Sequence, residues 1–459
     1  MLLTIEKLIY GGDGLARLLS PDGRRRAVFL PFVLPGERVE ADLTEEKPGF
    51  ARASVTQLIE PSAERAVAPC PYFARCGGCH YQHIPYERQL EFKARILRET
   101  LERIAKIKLD SEIQVHPSPP WHYRNRTRLQ VRTDPEFALG YYRFGSNEVI
   151  PIRECPISSP LINRAIAKMA ECGAWECPQS VEEIELFATA DDQTLLAWCF
   201  CGRESDREAL AAWAERIRGQ VAEIAGMTFF SSRRDKESTA DLVCLAASGA
   251  QHLHYQVLDT GYRVSAGAFF QVNRHLVADL VSTVMADLTG EVALDLYAGV
   301  GLFSVALAPR FHHIFAVEAS QTSYADLRHN APANVKAVCE RAENYLSQVP
   351  TFQRAEGRLT QQRGTTSRAV TRPNGSSGSA RKTPEVIVLD PPRSGVGQKM
   401  MGSLVRLGAP RLRYVSCDPA TLARDLAPLL AAGYRIEQMH LFDLFPETFH
   451  IESVTMLAR

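Results

Sequence analysis

The residues best placed for covalent chemistry lie in Val415-Ser416-Cys417-Asp418-Pro419-Ala420-Thr421, where the apolar run RLRYV gives way to the amphipathic segment TLARDL. A cysteine at the carboxyl end of a strand and beside a helix N-terminus is exposed to a field that favours the thiolate, so Cys417 is a candidate nucleophile. A buried, inert cysteine would occupy the same kind of position. Glu447, His450 and Glu452 in DLFPETFHIES offer acids or bases near the C-terminus. A strand over HIESVTML places Glu452 on the same face as His450, with Glu447 in the preceding turn. Spacing does not choose among the three.

A second constellation is a glycine turn, DLYAGVGLFS, that follows the strand VAL and leads into a helix. Gly299 and Gly301 let the backbone approach a ligand, but Ser304 stands where a dinucleotide-binding fingerprint has its third glycine. Glu318 ends the next strand, IFAVE, where a carboxylate can accept hydrogen bonds from ribose hydroxyls. Asp390, in VLDPPRSG, ends a further strand at the same edge. Without a lysine in the loop, this pattern suits S-adenosylmethionine better than a phosphate-bearing nucleotide. Carboxylates that merely cap helix starts would look similar.

The third constellation is Cys70-x5-Cys76-x2-Cys79 in CPYFARCGGCHYQH, with Cys155 of RECPI as a distant fourth thiol. Three cysteines within ten residues, with Gly77 and Gly78 allowing a tight wrap, suit a metal centre. Spacing alone leaves an iron–sulfur cluster and zinc equally open, His80 and His83 being further zinc ligands within reach. Eleven unevenly spread cysteines fit a reducing compartment better than a disulfide framework. Cys172, Cys177, Cys199, Cys201, Cys244 and Cys339 show no partner pattern and read as core residues.

The elements that must hold these groups are legible in outline. A chain of 459 residues exceeds one ordinary domain. With 45% hydrophobic residues and no apolar run near the length of a membrane span, a soluble protein with no membrane partner is expected. The start MLLTIEKLIYGG lacks the pattern of a secretory signal, so a cytoplasmic location is expected. Residues 1–60 read as short alternating strands separated by GGDG, SPDG, LPGE and EKPG, the signature of a small barrel. YERQLEFKARILRETLERIA has helical periodicity, and about 112–265 mixes strands such as RTRLQVRT with helices such as REALAAWAERIRGQ. From about 266, continuous apolar strands alternate with helices, which predicts a doubly wound sheet with its ligands at the carboxyl ends of the strands. The segment 353–383, rich in Gly, Ser, Thr and Arg, is expected to be a disordered surface insert. Net charge is zero, yet residues 88–132 carry 11 Lys/Arg against 5 Asp/Glu and 353–383 carry 7 against 1. Both stretches could meet phosphates or be solvated faces.

Five segments, FFQVN, DLYAGVGLF, LDPPRSG, SCDPAT and FPETFHIES, occur in an order that resembles the RNA uracil-5 methyltransferase family. The likeness is to its 23S ribosomal RNA 5-methyluridine branch and runs over nearly the whole chain. It implies a multidomain α/β protein: an OB-like TRAM β-barrel at 1–60, a central α+β domain with a [4Fe-4S] cluster at 61–265, and a Rossmann-like class I methyltransferase domain at 266–459. It implies Cys70, Cys76, Cys79 and Cys155 as cluster ligands, and Gln271, Tyr297, Glu318 and Asp390 as S-adenosylmethionine contacts. Cys417 becomes the nucleophile, and Glu452 rather than Glu447 the general base. Leu302 departs from the Asn that some ribosomal RNA members have after the second glycine, which puts one cofactor hydrogen bond in doubt. Carbon 5 of uracil is too weak a nucleophile to attack a methylsulfonium unaided. Thiolate addition at carbon 6 would activate it, and the uridine would have to be flipped out of its stack. Arg124, Arg126, Arg128 and Arg132 are expected phosphate contacts. The expected partner is RNA, not DNA, with 23S ribosomal RNA the leading substrate and the T loop of transfer RNA the alternative. The resemblance also implies a monomer.

Overall fold

The computed structural model describes residues 1–19, 23, 25–172, 177–202, 204–231, 242–348 and 383–459. The expected insert at 353–383 thus lies, but for Thr383, outside the described residues. Alternating burial closes the N-terminal strands into a barrel. Its strands are β1 (Leu2–Leu8), β2 (Gly14–Leu19), β3 (Arg25–Leu30), β4 (Arg38–Lys47) and β5 (Phe50–Glu60), ordered β1-β2-β3-β5-β4. Leu3, Ile5, Val28, Leu30 and Val39 fill its interior, and Ala16, Ala41, Ala51 and Ala53 keep it narrow.

The long helix α1 (Tyr86–Ala105) and the short strand β6 (Gln114–His116) follow. Both lie within the stretch read from sequence as the central domain, yet both pack on the C-terminal sheet: α1 buries Phe92, Ile96, Leu97 and Leu101 there, and β6 pairs with its edge. The middle of the chain builds a second sheet from β7 (Arg126–Arg132), β8 (Ala138–Tyr142), β9 (Val149–Pro151), β10 (Val181–Ala188), β11 (Leu195–Cys201), β12 (Ile224–Ser231) and β13 (Cys244–Gly249). The order is β13-β12-β11-β10-β7-β8-β9. Helices α2 (Pro160–Cys172) and α3 (Arg207–Gln220) cover one face, burying Leu161, Ile166, Met169 and Trp213. The hairpin β14 (His252–Val257) and β15 (Thr260–Ser265) places Tyr255 and Tyr262 in the core shared with the C-terminal domain.

The C-terminal domain runs α4 (Val277–Val284), β16 (Gly290–Leu296), α5 (Leu302–Leu307), β17 (Phe311–Glu318), α6 (Gln321–Asn330), β18 (Val335–Cys339), α7 (Ala342–Gln348), β19 (Val386–Leu389), α8 (Gln398–Leu407), β20 (Arg411–Ser416), α9 (Pro419–Ala431), β21 (Arg435–Phe442) and β22 (Glu452–Ala458). Its sheet is ordered β18-β17-β16-β19-β20-β22-β21-β6, and β18 through β20 are parallel. Strands such as β19, VIVL, are buried on both faces, which is why they read as unbroken apolar runs. β22 then inserts antiparallel between β20 and β21.

The loop between β21 and β22 is fixed from outside its own sheet. Lys93 Nζ of α1 reaches Asp443 Oδ1 at 2.6 Å and the Phe445 carbonyl at 3.0 Å, with Lys93 and Asp443 both shielded from water. Gln89 exchanges hydrogen bonds with Glu447, its Nε2 donating to the carboxylate and its Oε1 accepting from the backbone N–H, each at 3.0 Å. Removing one partner of a buried pair strands the other charge. Lys93→Met is therefore expected to cost about 3–5 kcal/mol at neutral pH. In denaturant titrations, Asp443→Leu added to Lys93→Met should recover much of the loss.

Candidate active site and cysteine-lined cavity

The glycine turn leaves β16 through Tyr297, whose φ of 64° is unusual for a residue with a side chain, and passes Gly299 (φ 57°) to Gly301 (φ 95°) at the start of α5. A Cβ on Gly301 would stand 2.9 Å from Leu327 Cδ1, so close packing and backbone shape both demand glycine. The carboxylate of Glu318 accepts from the N–H of Gly299 at 2.8 Å and of Ser320 at 2.6 Å, tying the turn to the end of β17. Tyr297 directs its hydroxyl to Glu343 at 3.3 Å and Met400 Sδ at 3.2 Å. Leu302, the departure noted in the sequence, packs into the core, and its carbonyl accepts from Tyr262 at 3.1 Å.

Asp390 follows β19, and its Oδ2 accepts from Gln271 Nε2 at 3.3 Å, so two residues 119 apart in sequence meet at the same strand edge. Burial pushes the Asp390 carboxyl up to about 7. Asp295, inside β16 and hydrogen-bonded by Ser304, is likewise raised to about 7, by burial first and then by the charges of Asp390 and Glu318.

Cys417 sits between the end of β20 and Asp418, the N-cap of α9, whose Oδ1 accepts from Ala420 N at 2.9 Å and Thr421 N at 2.8 Å. The antiparallel register pairs Ser416 with Ser453, so the next residues along, Cys417 and Glu452, come face to face at the strand ends. Glu452 is buried, and burial together with the Asp390 charge holds its carboxyl well above the usual range while Arg393 opposes them. The Cys417 thiol is raised to about 12 by burial, then by Glu452 and Asp390, with Arg393 again opposing. Burial first, and then the carboxylates of Glu452, Asp390 and Asp418, favour the neutral thiol, against the expectation of a thiolate favoured beside the helix N-terminus.

The other two acid–base candidates are engaged elsewhere. Glu447, at φ 66°, gives its carboxylate to Gln89 and its carbonyl to the N–H groups of His80 (2.9 Å) and Tyr81 (3.0 Å). Burial and then Arg393 push His450 down to about 3, and its ring nitrogens lie 3.4 and 3.5 Å from the Arg393 guanidinium. Arg393 was visible in LDPPRSG, but nothing in the spacing distinguished it from a surface arginine.

Cys70, Cys76, Cys79 and Cys155 all line one cavity of about 200 Å³, together with Arg124, Gln82 and Tyr141. Burial raises the thiols of Cys70, Cys76 and Cys79, and proximity to Cys155 raises each further. Among the described residues no three His, Cys, Asp or Glu side chains form a group that could hold a single metal ion. The four arginines proposed as phosphate contacts divide. Arg126 is buried against Phe187 and Trp198, within 3.2 Å of Glu185, and donates to Ala268 O at 2.6 Å. Arg128 is forked on Glu185 at 2.7 and 2.9 Å. Arg124 lines the cysteine cavity, and Arg132 makes a 3.5 Å contact with Glu136 O and lies near enough to Glu148 to act on its charge. Arg126 is therefore a structural cation. Its acidic partner, Glu185, arrives on β10, beyond reach of a local charge count.

Comparison with known proteins decides the family. The tRNA (uracil-5-)-methyltransferase model matches residues 85–459, and the TRAM domain model matches 1–56. The chain belongs to this family. It is a uracil-5 RNA methyltransferase that uses S-adenosylmethionine. A 23S rRNA (uracil(1939)-C(5))-methyltransferase from Chromohalobacter salexigens is 33% identical, the match covering all of this chain and 89% of the relative. An uncharacterized RNA methyltransferase from Aquifex aeolicus is 31% identical over 99% of this chain and 97% of its own. The solved Pyrococcus abyssi tRNA (uracil-54, C5)-methyltransferase, in complex with S-adenosyl-L-homocysteine, superposes over 100% of both chains with a TM-score of 0.70 at 23% identity.

A carboxyl whose folded pKa exceeds its unfolded value leaves stability intact below the unfolded pKa and takes it away as pH rises through the folded value. Asp295, raised from 3.8 to about 7, should therefore destabilise the fold progressively between about pH 4 and 7. Asp295→Asn is expected to raise the melting temperature at pH 8, an effect on the order of 2–4 kcal/mol, and to change it little at pH 4.

Proposed function

We propose that this methyltransferase acts on a uridine of 23S ribosomal RNA, with Cys417 adding to carbon 6 of the ring and Glu452 later removing the proton from carbon 5. The observation that carries this reading is the β20–β22 register, which sets Cys417 against Glu452 beside Asp390 and the glycine turn. As Cys417 sulfur bonds to carbon 6, the ring's double-bond electrons move onto the carbon 4 oxygen, leaving carbon 5 electron-rich. S-adenosylmethionine supplies an electrophilic methyl group on a cationic sulfur. Once carbon 5 carries that methyl, Glu452 takes its remaining proton, the double bond re-forms, and Cys417 leaves as thiolate. Glu452 is suited to this by being buried and carboxylate-rich in its surroundings, which makes it a stronger base than a solvated glutamate once ionised. The Arg393 guanidinium favours the ionised forms of both Cys417 and Glu452, so Arg393 has a direct part in readying the thiol.

The cofactor contacts in this reading are Gln271, Tyr297, Glu318 and Asp390. Glu318 orders the turn through Gly299, and Gln271 and Asp390 form one polar edge. Four thiols lining one cavity of about 200 Å³ are a donor set that suits a [4Fe-4S] cluster. Cys70, Cys76, Cys79 and Cys155 would hold it as ligands, and the loop they belong to braces Glu447 through His80 and Tyr81. The ribosomal substrate is supported by the full-length relative from Chromohalobacter. Transfer RNA is the second reading, favoured by the fold shared with the Pyrococcus enzyme.

The test is methyl-labelled S-adenosylmethionine offered with unmodified 23S ribosomal RNA and, separately, unmodified transfer RNA. Label is expected in 5-methyluridine of the ribosomal RNA, with Cys417→Ala reducing it by several orders of magnitude. Label confined to transfer RNA would overturn the substrate, and undiminished label with Cys417→Ala would overturn the covalent route.

A further inference from the structure

The barrel turn Ile9–Gly14 reaches into the active site. Gly11 and Gly12 have φ of 106° and 93°, and a Cβ on Gly12 would stand 3.3 Å from His80 Cβ and Phe449 Cδ1. Glycine there lets the turn wedge between the cysteine loop and the FPETFHIES segment. Tyr10 heads that wedge. Its ring meets Phe449 edge-on at 5.8 Å and 88°, and its hydroxyl donates to the carbonyl of Cys417 at 3.3 Å. The same hydroxyl faces the Asp418 carboxylate and the Arg393 guanidinium. The N–H at the other end of that peptide, of Asp418, donates to Ser416 Oγ at 3.3 Å. The Cys417–Asp418 peptide plane is thus held at both ends, once from its own strand and once from a domain about 400 residues away in sequence.

We propose that Tyr10 is a positioning residue for the methyl-transfer reaction: it fixes the Cys417–Asp418 peptide, and with it the direction of the Cys417 side chain, so that the barrel takes part in the chemical step. This rests on the reading of Cys417 as nucleophile. The χ1 axis of a cysteine is attached to its own peptide frame, so a freed carbonyl lets that frame rock and lowers the fraction of time the sulfur is aligned with carbon 6. A 3.3 Å bond from a hydroxyl is long, and its loss is correspondingly modest. A groove of about 770 Å³ is lined by Tyr10 together with Lys7, Arg17, Phe29, Arg103 and Ala420.

The test uses the full-length protein and Tyr10→Phe, which keeps the ring and removes only the hydroxyl. The RNA carries 5-fluorouridine at the methylated position, because fluorine on carbon 5 cannot leave as a proton and the adduct persists. The rate of adduct formation is measured in a single turnover at saturating RNA and S-adenosylmethionine, together with RNA affinity and melting temperature. The expected result is a rate about five- to tenfold lower with RNA affinity and melting temperature unchanged. An adduct rate equal to wild type, or a deficit that disappears at saturating RNA, overturns the role of Tyr10 and leaves Cys417 as nucleophile. Failure of the wild-type enzyme to form any adduct overturns the nucleophile reading itself, and this inference with it.

Discussion

The pairing of β22 between β20 and β21 sets the geometry on which the site depends. Because strand side chains alternate, a slip of one residue would turn every buried side chain of β22 to the opposite face. Val454, Met456 and Leu457 are all inside, so neither face can tolerate that exchange. The register that satisfies them puts Ser453 against Ser416 and Glu452 against Phe442, and the acid arrives beside Cys417 as a consequence of packing. A connection must then cover Asp443 to Ile451 and still return in register. It does so with outside help: Lys93 and Gln89 from α1, and the N–H groups of His80 and Tyr81 from the cysteine loop, take up its polar groups. The barrel adds Tyr10, whose hydroxyl donates to the Cys417 carbonyl. Segments from three regions of the chain therefore meet around two residues.

The pocket they enclose is electrostatically expensive. Asp295, Asp390 and Glu452 are all raised by burial, and Cys417 is raised by burial and by Glu452 and Asp390. Such a cluster destabilises the empty protein, which is the usual relation between a reactive site and its fold. Glu452 and the Cys417 thiol answer to the same cation, Arg393, which favours the ionised form of each.

Much of this was legible in the chain. The parallel strands announced themselves as apolar runs ending in Glu318, Asp390 and Cys417, because a strand buried on both faces has no polar alternation to disguise its end. The glycine turn and the barrel's alternating strands were equally plain. The losses have a common cause in contacts between distant segments. Lys93 and Gln89 sit in a helix whose charges look solvated, and Lys93 is buried only because Asp443 arrives 350 residues later. Arg126 and Arg128 counted as a basic patch until β10 brought Glu183 and Glu185 alongside. Local sequence likewise showed Cys417 the favourable helix end but not the acids that face it. Tyr10, in a turn read only for its glycines, carried no local signal.

The division of labour between Cys417 and Glu452 is tested most directly by Glu452→Gln incubated with unmodified RNA and S-adenosylmethionine, followed by protease digestion and mass spectrometry. The account predicts a stable protein–RNA adduct in which the methylated uridine is attached to the peptide containing Cys417, since the proton on carbon 5 can no longer be removed. Turnover at the wild-type rate with no adduct, or an adduct mapped to a cysteine other than Cys417, would contradict it.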